Sequence, residues 1–485
     1  MHRNQVETDL DSSSEEKLAY KWKALIITAL GTFMGTMDAS ITNISFPILT
    51  RVFDIQLTTV MWVTLAYMLT STSLMLVLGK AGDQMGRKRL YATGMLIFSL
   101  GLFLCSLSRT INQLIICRVF QAVGAAMTIA CSTAIVTDAF PAEERGKGLG
   151  LLGSSVSAGF ITGPILGGIL LEWLHWRSIF YIRIPLGLLT FILALIFLKK
   201  DEIKVGKVKF DFWGMLTSSI GLLSIMFGVG QVNKLGLYSP IVHFLIVFGL
   251  LCLIVFVLVE RNAADPVVDL SLFKSRVFSS AIWSLFLTFM AYPVFVLVMP
   301  FYLMQGIGLP PSKTGMLMAV VSMTTIVVGP ISGWLSDRSQ PVWISTLGAV
   351  ATLIAYLLMR GFDLQTQIVG IIPVLILYGF GVSSFHAPNN SSVMGSVRNE
   401  RLGTASALIA TQRQVGMSLG MAVAGTVYTA RKARHLTELI GKGLEAAQAA
   451  RKAIPLSFHD ALLVSACILS LVVLLCLATW NRNKK

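Results

Sequence analysis

Ile241-Val-His243-Phe-Leu-Ile-Val-Phe-Gly249-Leu-Leu-Cys252-Leu-Ile-Val-Phe-Val-Leu-Val259 contains no Asp, Glu, Lys or Arg. A bilayer core about 30 Å thick is crossed by about 20 apolar helical residues, so this run is long enough to span. Ala24–Met37, Leu65–Leu78 and Met215–Val232 are equally free of charge. Across 485 residues the chain is 55% hydrophobic and 13% charged, with a mean hydropathy of +0.74. A soluble domain carries about twice that share of charge. In lipid each spanning segment has to satisfy its own backbone, which favours helices over open strands. The expected fold class is therefore all-α integral membrane.

The apolar runs predict helices at 24–50, 57–79, 90–108, 111–138, 147–171, 177–198, 212–231, 240–260, 277–304, 312–336, 342–360, 367–394, 402–430 and 458–480. That is about 14 transmembrane helices, an even count. The first run follows a polar tail and is long, so it is expected to be a retained span rather than a cleaved signal. With the amino terminus inside, and with Lys147, Arg177, Lys313 and Arg360 at the span edges counted with their loops, the cytoplasmic segments hold 24 of the 39 Lys and Arg, and the first six outer loops hold six. The short loops thus obey the positive-inside rule, which places both termini in the cytoplasm. The net charge of +15 then faces anionic lipid, and nucleic acid is not an expected partner. The last outer loop, 431–459, carries six more cations and is the exception. Its Leu436, Leu439, Ile440 and Leu444 recur at helical spacing, which fits an external helical hairpin; a solvated linker fits equally well.

The six cysteines, Cys105, Cys117, Cys131, Cys252, Cys467 and Cys476, lie inside apolar runs without CxxC spacing. They read as small buried hydrophobes, not as disulfides or metal ligands. No Gly-x-x-x-x-Gly-Lys-Ser/Thr phosphate loop occurs, so ATP hydrolysis by this chain is not expected. HExxH is also missing, and the GxSxG match Gly416-Met-Ser418-Leu-Gly420 lies inside an expected span with no strand-to-helix turn around it, which argues against a membrane-embedded enzyme. No cofactor is called for; an ion gradient would supply the energy.

Two stretches repeat one pattern. Gly79-Lys-Ala-Gly-Asp83-Gln-Met-Gly86-Arg87-Lys88-Arg89 follows the second expected span, and Gly333-Trp-Leu-Ser-Asp337-Arg338 follows the tenth. Repeated halves are a mark of secondary transporters. The glycines let helix ends approach, and the acidic and basic residues can bridge neighbouring elements as conformational switch loops. Further stretches are Met37-Asp38-Ala-Ser-Ile-Thr-Asn43-Ile-Ser-Phe-Pro47, Arg118-Val-Phe-Gln121-Ala-Val-Gly124 and Gly159-Phe-Ile-Thr-Gly163-Pro164-Ile-Leu-Gly167-Gly168. To these add Trp176-Arg177-Ser-Ile-Phe180-Tyr-Ile-Arg183-Ile-Pro185-Leu-Gly187 and Gln412-Arg413-Gln-Val-Gly416-Met-Ser-Leu-Gly420.

In these motifs, in this order, the chain resembles the major facilitator superfamily, and within it the fourteen-span drug:proton antiporters of the EmrB/QacA type. It departs from the pattern at Gln84, where Arg is common, at Ala122, where Gly is usual, and at Arg183, where Asn is usual. The resemblance implies two six-helix bundles around a central cavity, with a two-helix insert and a bacterial inner membrane location. The domains would be a tail over 1–23, the first bundle over 24–198, a linker with the two extra helices over 199–260, the second bundle over 261–480 and a tail over 481–485. It implies a proton-coupled, alternating-access exporter of lipophilic drugs or toxic compounds; export of a lipid or endogenous metabolite is the alternative. Its partners would be a lipophilic small-molecule substrate, protons and membrane lipid. A periplasmic adaptor is left open.

Asp38 is the one acidic residue placed deep in an expected span. Intramembrane carboxylates mark ion paths by default, and removal from water favours the protonated form. Packing as a neutral side chain is the competing role. Arg118 stays charged and needs a partner; it either takes part in proton coupling, as the resemblance implies, or clamps spans one and four. Gly159, Gly163, Pro164, Gly167 and Gly168 make a small-residue face with a proline, suited to a hinge or to tight packing. Asn43, Gln121, Arg183, Gln412 and Arg413 are candidate cavity residues. Arg183 lies near the outer end of its span, where snorkelling outward is the simpler expectation; lining the cavity would favour anionic or zwitterionic substrates. His243 and His386 read as structural. Trp62, Tyr67, Tyr292, Phe295, Met299, Tyr302 and Met304 read as packing rather than as a substrate surface.

Overall fold

Proline and the apolar runs decide where the helices start and break. The computed structural model describes residues 2–141, 144–199, 212–236, 238–262, 270–397 and 402–480, and the regular structure among them is helical. The long helices are α1 His2–Ile44, α2 Trp62–Met85, α3 Arg87–Leu107, α4 Ile111–Ala139, α5 Arg145–Trp173, α6 Ile184–Phe197, α7 Phe212–Leu235, α8 Pro240–Asn262, α9 Arg276–Phe301, α10 Pro311–Arg338, α11 Pro341–Met359, α12 Ile368–Gly395, α13 Leu402–Gly441 and α14 Ala446–Trp480.

Twelve helices among the described residues are long and apolar enough to cross a membrane, against the fourteen expected. The expected spans at 212–231 and 402–430 fall in α7 and α13, which are helical but outside that count. The apolar stretch counted in α7 is short, Leu216–Val232. α13 carries Gln412, Arg413 and Gln414 in its middle and a charged final third. Three expected spans are also not continuous; the second is broken at Met61, between a Leu57–Val60 turn and α2. The first stops at Ile44, and a short helix, Phe46–Val52, restarts with Pro47 in its first turn, where the missing N–H is tolerated. The sixth is split into a Ser178–Tyr181 turn and α6, with Arg183 at the break and Pro185 in the first turn of α6.

The helices form two compact units. The first comprises Met1–Ser40, Leu74–Gly163 and Arg177–Val208; the second comprises Ile41–Ser73, Pro164–Trp176 and Lys209–Lys485. In the first unit α3 and α4 cross at glycines: a Cβ on Gly124 would lie 2.4 Å from the Phe98 nitrogen and 2.5 Å from the Gly94 oxygen. Small residues at such crossings are how helices associate where lipid and side chain are equally apolar. In the second unit α7 and α8 meet the same way at Gly221 and Gly249, and α11 meets α12 at Gly348 and Gly381. α7 also docks on α2, where Gly230 faces the Trp62 ring and Ser219 Oγ donates to the Ser73 carbonyl at 3.0 Å.

Aromatic side chains build the core of the second unit. Tyr302 stacks on Phe458 at 4.8 Å, and Phe295 meets Tyr378 at a tilt with centroids 4.5 Å apart; Tyr302 also donates to the Asp363 carbonyl at 2.7 Å. Tyr67, Phe295, Met299 and Tyr302 are buried, in keeping with packing. The 431–459 stretch is the tip of a helical hairpin made by the ends of α13 and α14, turning through Gly443 at φ 85°. Arg434 pairs with Glu438 at 2.8 Å there, and His435 Nε2 lies 2.8 Å from Asp460. Cys105, Cys131 and Cys476 are buried free thiols.

Candidate functional site

A buried polar cluster forms inside the first unit, where α1, α4 and the break before α6 converge. Asp38 on α1 is fully buried, as are Arg118 and Gln121 on α4. Arg118 Nη1 donates to Asp38 Oδ2 at 2.5 Å and to Gln121 Oε1 at 2.7 Å. Gln121 Nε2 donates to Asp38 Oδ1 at 3.1 Å. Arg118 and Gln121 are three residues apart on a helix and so share a face, which lets one α4 surface grip both carboxylate oxygens.

Arg183 completes the cluster. Sequence reasoning leaves this side chain two paths, outward snorkelling or inward toward a cavity; it turns inward and is 2% exposed. Its Nη1 donates to Asp38 Oδ1 at 2.6 Å and its Nε to the Ile179 carbonyl at 2.6 Å. The helix break between Tyr181 and Ile184 frees that carbonyl and gives Arg183 its approach. An outward path would have offered no charge, whereas Asp38 offers one. A single carboxylate thus holds two guanidiniums, a formal charge of +1. Gln121 and Arg183, expected as cavity residues, are sealed into this cluster instead.

Glycines fix the distances. A Cβ on Gly101 of α3 would lie 2.5 Å from Gln121 Cβ, and one on Gly159 of α5 would lie 2.9 Å from the Met37 nitrogen, next to Asp38. Ser40 Oγ donates to the Gly159 carbonyl at 3.2 Å, so the α5 motif presses on the α1 turn that carries the carboxylate. Gly101 escaped the sequence reading because nothing separates it from the other glycines in the apolar runs. Cys105 Sγ, 3.8 Å from Gln121 Oε1, was also read only as filler.

The remaining candidates are distributed. In the second unit Asn43 is buried, and Thr64 Oγ1 donates to its Oδ1 at 3.3 Å. The later part of the α5 motif packs there against the start of α10: a Cβ on Gly168 would lie 2.4 Å from the Pro311 oxygen, and one on Gly315 would lie 2.1 Å from the Pro164 oxygen. The Ser312 nitrogen donates to Glu172 at 3.0 Å. Gly167 faces Ile41 and Ile44 of α1; Gly163 is buried. Gln412 is half-buried and Arg413 exposed, while His386 stacks on Phe289 at 4.5 Å. In the first switch loop, Gly86 takes φ 94° as the residue before α3, a conformation that favours glycine. Arg87 pairs with Asp138, and Lys88 donates to the Leu198 carbonyl. In the second, Gly333 is half-buried and Arg338 lies 4.2 Å over the Trp334 ring. Gly79 lies in α2, and the side chains of Asp83 and Asp337 lie outside what the structure describes. No group of His, Cys, Asp and Glu among the described residues could hold a metal ion.

Comparison with known proteins follows the same lines. The family model described as Major Facilitator Superfamily matches residues 28–421. The "Riboflavin transporter RibZ" of Clostridioides difficile (strain 630) is 35% identical over 83% of this chain and 87% of its own length. The "Multidrug resistance protein Stp" of Mycobacterium tuberculosis (strain CDC 1551 / Oshkosh) is 31% identical over 84% of this chain and 75% of its own. Among solved structures, an inward-facing, unoccupied bacterial homolog of the human lysosomal transporter Spinster superposes with a TM-score of 0.64 at 14% identity, covering 95% of this chain and 98% of that one. Helical architecture, motif order and these matches agree: the chain belongs to the major facilitator superfamily of transporters.

Proposed function

We propose that this transporter exports lipophilic small molecules in exchange for protons, by alternating access, with Asp38 as the proton-binding group. The observation that carries the reading is the Asp38 carboxylate, fully buried in α1 and held by Arg118, Gln121 and Arg183. A carboxylate sealed inside a bundle can take and lose a proton without leaving its ligands. Its protonation rearranges the hydrogen bonds that join α1, α4 and α6, which is the coupling that a two-state carrier requires. Arg118 and Gln121 act as positioning residues for Asp38.

In this reading α7 and α13 also span, giving fourteen helices with both termini in the cytoplasm of a bacterial inner membrane. The bundles are 24–198 and 261–480, and 212–260 contributes the insert. The Gly168 and Gly315 contact works as a hinge or seal, and the loops at Gly79–Arg89 and Gly333–Arg338 as switches. The proton gradient replaces any cofactor. A second reading, export of a ring-bearing metabolite, is favoured by the relative named as a riboflavin transporter; the relatives named for multidrug resistance favour the first.

Inverted vesicles with an acid interior and a trapped pH dye test the proposal. Addition of lipophilic compounds, with flavins in the same panel, is expected to draw protons out of the lumen. A response to flavins alone selects the metabolite reading. Silence across the panel from correctly inserted protein rules out exchange.

A further inference from the structure

The Asp38 cluster is electrostatically incomplete. Arg118 and Arg183 stay charged in a protein, while Asp38 supplies one negative charge. The other acids of the first unit whose side chains are described are Asp138, which pairs with Arg87, and Glu144, which pairs with Lys21 at 2.5 Å, about 25 Å along α1 from Asp38. The other ionisable groups near the cluster are Cys105 on α3 and Cys117 on α4, both neutral as thiols. α5 adds only the Gly159 carbonyl bond to Ser40. Among the described residues, no second carboxylate reaches the guanidiniums.

Arg183 also has an unused donor. Its Nε and Nη1 are engaged, but Nη2 is buried and has no hydrogen-bond partner among the described residues. A buried donor without an acceptor is costly, and a guanidinium matches a carboxylate or a small anion well. Protonating Asp38 would take from Arg183 the carboxylate it pairs with, which a low-dielectric interior resists.

We infer that a monovalent anion, either a free halide or the carboxylate of an organic acid, binds at Arg183 Nη2 and replaces Asp38 as counter-charge when Asp38 is protonated. The inference rests on the reading of Asp38 as the proton-binding group. Proton and anion then load together: each tightens the binding of the other by the same factor. The anion enters in the part of the cycle that opens the cluster. The proton-loaded cluster stays at +1 throughout. At this position Asn, usual in the resembled family, would lack the charge, so the device is particular to chains that carry arginine here.

The test uses the full chain purified in detergent, in weakly buffered sodium sulfate with a pH dye. Chloride or benzoate is added, and wild type is compared with Arg183→Asn. Proton uptake approaching one per protein is expected in wild type and is lost in R183N. Anion affinity in wild type is expected to be about tenfold tighter at acid than at alkaline pH. Asp38→Asn, which mimics the protonated state, is expected to bind the anion independently of pH. A response to chloride alone assigns the site to a free halide; a response to benzoate alone assigns it to an organic carboxylate that loads with the proton. No proton uptake with either anion in wild type of normal melting temperature overturns the inference, as does uptake that persists in R183N. Anion binding by D38N without compound-driven proton exchange in wild-type vesicles would sink the proton reading while leaving the anion site standing.

Discussion

Gly159→Ala tests whether the approach of α5 to α1 sets the geometry at Asp38. A Cβ at 159 would lie 2.1 Å from Thr36 Oγ1, 2.7 Å from the Phe33 oxygen and 2.9 Å from the Met37 nitrogen. The threonine hydroxyl can rotate away, giving up its bonds to the Thr32 and Phe33 carbonyls. The two backbone atoms cannot. Ordinary contact needs about 3.5 Å or more, so α1 must retreat from α5 by about half an ångström at Met37. Overpacking of this kind costs about 1–3 kcal/mol, offset by about 1 kcal/mol from the better helix propensity of alanine. Gly153 on the same helix has nothing within 4 Å of its built Cβ, so Gly153→Ala keeps only the propensity gain. The two variants should therefore move thermal melting in detergent in opposite directions, separated by about 2 kcal/mol. G159A should also lose transport, because the retreat lengthens the 2.5 Å contact from Arg118 to Asp38. G159A protein that melts at or above wild type, or G153A protein that melts as low as G159A, would refute the reasoning.

Arg118→Ala removes the donor that Asp38 Oδ2 and Gln121 Oε1 share while Arg183 still pairs with Asp38, so it should destabilise the first unit by about 1–3 kcal/mol, read as a lower melting temperature; Arg118→Lys keeps the charge but not the two-acceptor geometry, so it should recover stability more than transport. Gly315→Leu drives a side chain into the Pro164 carbonyl, 2.1 Å from the built Cβ, and should abolish transport while a leucine at Gly370, with nothing within 4 Å, is tolerated in the same vesicle assay. At the hairpin tip, the hydrogen bond from Arg434 holds the Glu438 carboxyl below the usual carboxylate range. A lowered folded value gives stability that is present above the unfolded value and lost as pH falls through the folded one. Amide exchange over 434–445 should therefore stay slow from neutral pH through the upper carboxylate range and quicken only on further acidification, and Glu438→Gln should erase that dependence.

The parts of the site that depend on charge in an apolar run were legible in the sequence. Asp38 and Arg118 stand out because each breaks a long uncharged stretch, and their pairing follows from the cost of burying either alone. Gln121 came from motif position and was placed as a cavity residue, since spacing alone does not tell a bundle interior from a cavity wall. The inward turn of Arg183 was not legible. It depends on a helix break two residues earlier and on a partner 145 positions away in sequence, neither of which a local pattern records. The glycine contacts at Gly101 and Gly315 were invisible for a related reason: their meaning lies in the backbone they touch. The helix positions were readable from apolar length, but the end of α13 was not: the helix runs on to Gly441, past the expected 430, through a charged final third that carries no long apolar run.

The central claim is that Asp38 binds the transported proton, and the direct measurement is compound-driven proton exchange in inverted vesicles for wild type and Asp38→Asn at matched protein insertion, alongside downhill uptake of the same compound without a pH gradient. The account predicts that the variant loses proton movement while keeping downhill uptake. Equal proton movement in the two proteins would contradict it and leave the Asp38, Arg118 and Arg183 cluster as a structural clamp.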